Sequence, residues 1–180
     1  MMGINGLVRA RIWWLAIFFI GLMLAAVVVE YFEEVLSTHV AIGYFVPLII
    51  GHAGNSGSQS VSSVIRAIAL EEITYADFWT VVMNEAVSGM IMGCIPGLSV
   101  LLISLAWPAV TDMEGMAVAL SLPLVSLWAN SLGAALPLLA TRFKLSAVNT
   151  AAPLMTTLVD ATGLMLYFAV AATVLDIAKR

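Results

Sequence analysis

Asp160 stands alone in an otherwise uncharged run from Leu145 to Leu175 that is long enough to cross a bilayer. A carboxylate near the middle of a membrane helix costs at least about 2.5 to 3.5 kcal/mol, so such a residue needs water, a proton path or a bound cation. The reading adopted for Asp160 is a cation ligand. Helical spacing puts Thr156, Asp160, Gly163 and Tyr167 on one face, and Pro153 is expected to free backbone carbonyls close by. That face offers oxygen only. Oxygen donors without sulfur or clustered imidazole suit a hard ion, Mg²⁺, Ca²⁺ or Mn²⁺, rather than zinc or copper.

Glu85, in Asn84-Glu85-Ala86-Val87-Ser88, is the other acid within an apolar segment; ion contact and a structural pairing, for example with Arg66, are both open to it. Pro47 and the run Gly51-His52-Ala53-Gly54-Asn55-Ser56-Gly57-Ser58-Gln59 are expected to break the second segment, leaving unwound carbonyls as ligands. Asn55, Gln59, Ser62 or Ser63, and Arg66 form a helical stripe that either faces a pore or bonds to neighbouring helices. His52 reads as a packing or hydrogen-bonding residue rather than a ligand, and His39 falls at a predicted outer boundary. Gly89, Gly93 and Gly97 read as a close-packing face, with Pro96 and Pro108 bending or ending that helix. The single cysteine, Cys94, excludes an internal disulfide and reads as a packing residue. One carboxylate per chain is a thin site for a divalent ion; a two-fold dimer around a pore axis would double it.

The elements that must position these groups are membrane helices. The chain is 62% hydrophobic and only 10% charged, against roughly 25% charged for a soluble domain. Five hydrophobic segments can be drawn, about 12 to 30, 39 to 70, 78 to 107, 115 to 141 and 147 to 177, giving an all-α polytopic fold with residues 1–180 as one transmembrane domain. The first is too long for the apolar core of a signal peptide. Arg9, Arg11, Arg66, Arg142 and Lys144 fall on one side, and Glu30, Glu33, Glu34, Asp112 and Glu114 on the other. The positive-inside rule then puts the N-terminus in the cytoplasm and the C-terminus outside, in a cell (inner) membrane, with Lys179 and Arg180 as the exception. The net charge of −4 carries no basic cluster, so nucleic acid is not an expected partner.

The run Pro47 to Gln59, with Arg66-Ala67-Ile68-Ala69-Leu70-Glu71, Asn84-Glu85, Asn130 to Pro137 and Thr156-Thr157-Leu158-Val159-Asp160-Ala161-Thr162-Gly163, resembles the membrane domain of MgtE-type magnesium transporters. The resemblance implies a homodimer of five-helix protomers, with a pore between them lined by the second and fifth helices and Mg²⁺ as the main ion, for which Mn²⁺ or Ca²⁺ could substitute. It implies that Asp160 matches the pore aspartate, that Gly51, Gly54 and Thr156 match positions whose carbonyls face the hydrated ion, and that Asn55 and Glu85 are secondary ligands. Only about 11 residues stand before the first helix where that family usually has cytoplasmic domains, so the chain is expected to be either a minimal homologue or an excised domain, and regulation through those domains is not expected of it.

The function expected is passive Mg²⁺ entry, because two charges crossing about 100 mV gain roughly 4.6 kcal/mol and no P-loop is present. A Mg²⁺ exchanger coupled to Na⁺ or H⁺ is the alternative within transport, and a non-conducting scaffold the alternative outside it. No nucleophile-and-base pair suggests an enzyme.

Overall fold

The computed structural model describes residues 3–178, apart from the side chains of Leu7, Ala10, Arg11, Trp14, Val148, Asn149, Ile177 and Ala178. Lys179 and Arg180, the two charges that oppose the inferred orientation, lie outside the described residues. Seven helices run in order, α1 (Ile4–Tyr31), α2 (Glu33–Thr38), α3 (Val40–Tyr44), α4 (Val46–Ala69), α5 (Phe78–Ser104), α6 (Asp112–Arg142) and α7 (Ala147–Ala178), with a short 3₁₀ turn at Tyr75–Asp77 before α5. No strand occurs among the described residues.

Among the described residues three helices are both long and apolar enough to cross a membrane, Tyr75–Ser104, Asp112–Arg142 and Thr150–Asp176, rather than the five drawn from sequence. In α1 the apolar stretch among the residues with described side chains is Leu15–Tyr31. In α4 the glycines, Asn55, Gln59 and five serines dilute the apolar content of a helix that is otherwise 24 residues long.

A second correction concerns the break. Gly51 to Gln59 is continuous α-helix, and the chain is interrupted earlier, at Phe32, His39 and Phe45. Each glycine keeps its N–H and C=O in the helical ladder, so flexibility alone does not unwind it. Pro47 lies in the first turn of α4, where its missing N–H costs nothing, and it starts the helix rather than breaking it. Pro96 likewise sits within α5 without ending it, while Pro108 lies beyond it.

α6 is the central post. α5 lies along it through the small-residue face foreseen in the sequence. A methyl group at Gly89 would fall 2.6 Å from Ser126 O, at Gly93 2.7 Å from Pro123 Cα, and at Gly97 2.6 Å from Ala119 O. Backbones this close gain dispersion and exclude lipid. Cys94 is exposed on α5, its thiol donating to Met90 O, so it is not a core packing residue. α4 meets α6 on another side, where Gly133 approaches Gly57 O, and α7 packs on both α4 and α6. α1 rests on α7, with Gly21 against Thr157.

Two ends are sealed locally. Thr111 and Glu114 form a reciprocal cap at the start of α6, and buried Glu114 also accepts from His39 Nδ1 at 3.3 Å, joining the α2–α3 elbow to α6. At the opposite end α4 and α6 finish in Schellman turns: Glu72 N bonds Ala67 O, and Leu145 N bonds Ala140 O. The left-handed positions there hold Glu71 (φ 59) and Lys144 (φ 57) instead of glycine.

Glu71→Gly relieves that backbone strain and should stabilise the protein by about 1 kcal/mol. Gly93→Val should destabilise it by roughly 1 to 3 kcal/mol through overpacking against α6. Thermal melting of the purified protein in detergent checks both signs.

Candidate cation site

Asp160 is half-buried on α7 and among the described residues makes no hydrogen bond and no ion pair. It does not face the exposed apolar surface of its helix. Leu154, Leu158 and Met165 form that surface, and Asp160, two residues past Leu158, lies roughly 160° round the helix from it.

The neighbour that matters is α4. Met155 of α7 packs against Gly57 of α4, and the Tyr167 hydroxyl donates to Ile42 O at 2.8 Å, so the two segments run antiparallel. Asp160 is five residues beyond Met155, about 7.5 Å along the axis, which is the level of His52, within the Gly51–Gly54 turn. Thr156, next to Met155, is level with Ser56. Its hydroxyl donates to Pro153 O at 3.0 Å, and Thr157 donates to the same carbonyl, so these hydroxyls satisfy their own helix.

α4 carries two polar faces with different fates. One is buried against α6: Asn130 Nδ2 donates to Ser56 Oγ at 2.6 Å and to Ser126 O at 2.8 Å, and Ser60 donates to Asn130 O. Ser126 spends its proton on Leu122 O, so its oxygen accepts from His52 Nε2–H at 2.8 Å. His52 is therefore a hydrogen-bonding residue between helices, as its isolation in sequence suggested.

The other face is open. Gly51, Asn55, Gln59, Ser62 and Arg66 are exposed, and a methyl group at Gly51 or Gly54 would meet nothing within 4 Å. Asn55, Ser58, Gln59, Ser62 and Ser63 line a shallow groove of about 630 Å³. Among the described residues these side chains make no bond to another helix; Ser62 bonds only Ser58 O of its own turn. Gly54 stands on the edge of this face nearest α7, since Gly57, about 60° further round, is the residue that packs on Met155.

The expected site residues therefore divide. Thr156 and Asp160 lie on α7, and Gly51, Gly54 and Asn55 on the open side of the neighbouring α4, with Gly54 nearest the contact between the two helices. Glu85 is apart from them, half-buried in a separate cleft of about 210 Å³ between α4 and α5, with Ser63, Val64, Ala67 and Asn84. No Arg66–Glu85 ion pair forms among the described residues. Tyr167 shares the Asp160 face, yet its hydroxyl is buried and committed to Ile42 O, so it offers the seam no free oxygen. No three of the described His, Cys, Asp or Glu residues gather closely enough to hold a metal within one chain. Sequence reading missed Ser58, although it lies four residues after Gly54 on the edge of the stripe. It also missed the pairing of His52 with Ser126, 74 positions apart, for which no local signal exists.

The sequence model of a family described as "MgtE: Divalent cation transporter" matches residues 46–170. The chain is 34% identical over 167 residues to the magnesium transporter MgtE of Thermus thermophilus, covering 93% of this chain and 37% of that protein. It is 30% identical over 159 residues to the magnesium transporter MgtE of Bacillus subtilis, covering 88% of this chain and 35% of that one. The corresponding Enterococcus faecalis protein is 26% identical over 159 residues. The chain thus spans little more than a third of the length of these relatives. Matched by the family model through α4 to α7, and by relatives along almost all of its own length, the chain belongs to the MgtE family.

Proposed function

We propose that this chain is a membrane domain that carries Mg²⁺ through a pore between two copies, lined by the open face of α4 and the Asp160 face of α7. The observation that carries the proposal is the seam itself: an unpaired carboxylate turned away from the lipid-facing residues, level with two glycines whose surroundings are empty. An open polar helix face is not stable against hydrocarbon, so water or a second copy must cover it. A two-fold axis along α4 would satisfy the face and double the carboxylate.

Five crossings per protomer are part of this reading. α1, at 28 residues, and α4, at 24, are about 42 Å and 36 Å long, enough for a hydrocarbon core of about 30 Å. The polar side of α4 would then meet the pore rather than lipid. Arg66 and Arg142 lie towards the end shared by the C-termini of α4 and α6, while Glu114 and the α2–α3 elbow share the other. The positive end faces the cytoplasm, with the N-terminus inside and the C-terminus outside.

Mg²⁺ gives up its waters reluctantly and prefers octahedral oxygen. Paired Asp160 carboxylates supply the charge, while carbonyls of Gly51, Gly54 and Thr156 and the Asn55 amide hold the coordinated waters. Glu85 acts further towards the cytoplasm, in its own cleft. Relatives named magnesium transporters support the choice of ion.

Mg²⁺ uptake into proteoliposomes tests this. Asp160→Asn keeps size and removes charge, and is expected to cut uptake by at least tenfold with the dimer intact; unchanged uptake would contradict the role. Gly54→Ala meets no atom within the protomer and should keep or raise its melting temperature, alanine being the better helix former, while lowering flux. Gly57→Ala, pressed 2.7 Å from Met155 Sδ, should lower the melting temperature instead.

A further inference from the structure

Along the α4–α7 seam, apolar packing is smooth. Met155 against Gly57 is a flexible thioether on a bare backbone, a contact that tolerates sliding. Directional contacts are scarce. Among the described residues, one side-chain hydrogen bond joins α7 to the α3–α4 segment: Tyr167 Oη donating to Ile42 O at 2.8 Å. Both residues are fully buried. Ile42 O otherwise receives only the longer bond from Phe45 N, at 3.3 Å, so the tyrosine supplies its better partner.

The placement of this bond has a consequence for the ion path. Tyr167 is seven residues from Asp160 on the same face of a continuous helix, about 10.5 Å along a rigid rod. Ile42 lies in α3, just before the elbow at Phe45 where α4 begins, and Ile49 N returns to Phe45 O at 2.9 Å. The hydroxyl thus ties the Asp160 rod to the start of the helix that carries Gly51 and Gly54.

We propose that Tyr167 is a positioning residue, whose hydroxyl fixes the axial register of α7 against α4 and so sets Asp160 level with the Gly51–Gly54 turn. This rests on the reading that the α4–α7 seam carries the ion. Tyr167 does not touch the ion; it determines whether the carboxylate and the two glycine carbonyls address the same hydrated cation. A filter that binds a hydrated ion through several oxygens is sensitive to such a shift, because octahedral geometry tolerates little error.

Tyr167→Phe keeps the ring in its pocket and deletes only the donor. Two measurements on this variant and the unaltered chain test the proposal. In proteoliposomes, half-saturating Mg²⁺ is expected to rise about fivefold, the effect of one lost hydrogen bond, and the preference for Mg²⁺ over Ca²⁺ to fall, with maximal flux retained. In a Cys94→Ala background, spin labels at Leu70→Cys and Thr173→Cys, near opposite ends of α4 and α7, should report a shifted or broadened distance on adding Tyr167→Phe. Wild-type half-saturation and ion preference in Tyr167→Phe would overturn the proposal, whatever its melting temperature, because a packing residue alone predicts that result. If the unaltered chain takes up no Mg²⁺, the transport reading falls, and the label distance decides the tie by itself: an unchanged distance overturns it.

Discussion

A carboxylate cannot be left in hydrocarbon, and the arrangement around Asp160 follows from that constraint. Its helix is otherwise uncharged across a full bilayer thickness, so the side chain cannot reach an interface. The protein turns it away from Leu154, Leu158 and Met165, which form the exposed apolar surface of its helix. Among the described residues of one chain nothing neutralises it. The same constraint acts on Asn55, Gln59 and Ser62, which among the described residues bond to no other helix and yet belong to a helix long enough to cross the bilayer.

Glycine serves two opposed purposes in this fold. At Gly57, Gly89, Gly93, Gly97 and Gly133 its absent side chain is filled by another helix, so a methyl group would meet a neighbouring atom at 2.7 Å or less. At Gly51 and Gly54 the space is empty. The first set locks α4 and α5 onto α6, and the buried His52–Ser126 and Ser56–Asn130 bonds fix the rotation of α4. The second set is what that rotation presents outward. Rigidity on one side of α4 fixes which residues the other side exposes.

Much of this was legible in the sequence because membrane folding imposes strong local rules. Apolar run length located α5, α6 and α7, and four-residue glycine spacing located the α5–α6 contact. What was illegible depended on tertiary partners. Glycines 51, 54 and 57 suggested a broken helix, but the ladder holds through them, and the interruptions fall at Phe32, His39 and Phe45, none of which is a strong breaker residue. Serines 56 and 62 look alike in sequence; only the position of Asn130 makes one a buried bond and leaves the other open. Tyr167 read as an oxygen on the Asp160 face, whereas its hydroxyl is spent on Ile42.

The central claim is that two copies of Asp160 face each other across a common axis, and cross-linking addresses it most directly. In a Cys94→Ala background, Asp160→Cys leaves one thiol per chain, to be treated in native membranes with a bifunctional thiol reagent about as long as a hydrated divalent ion is wide. The account predicts a covalent dimer on a denaturing gel, formed less readily when a thiol-binding divalent ion such as Cd²⁺ is present. Monomer alone, from protein that remains dimeric before denaturation, would contradict it.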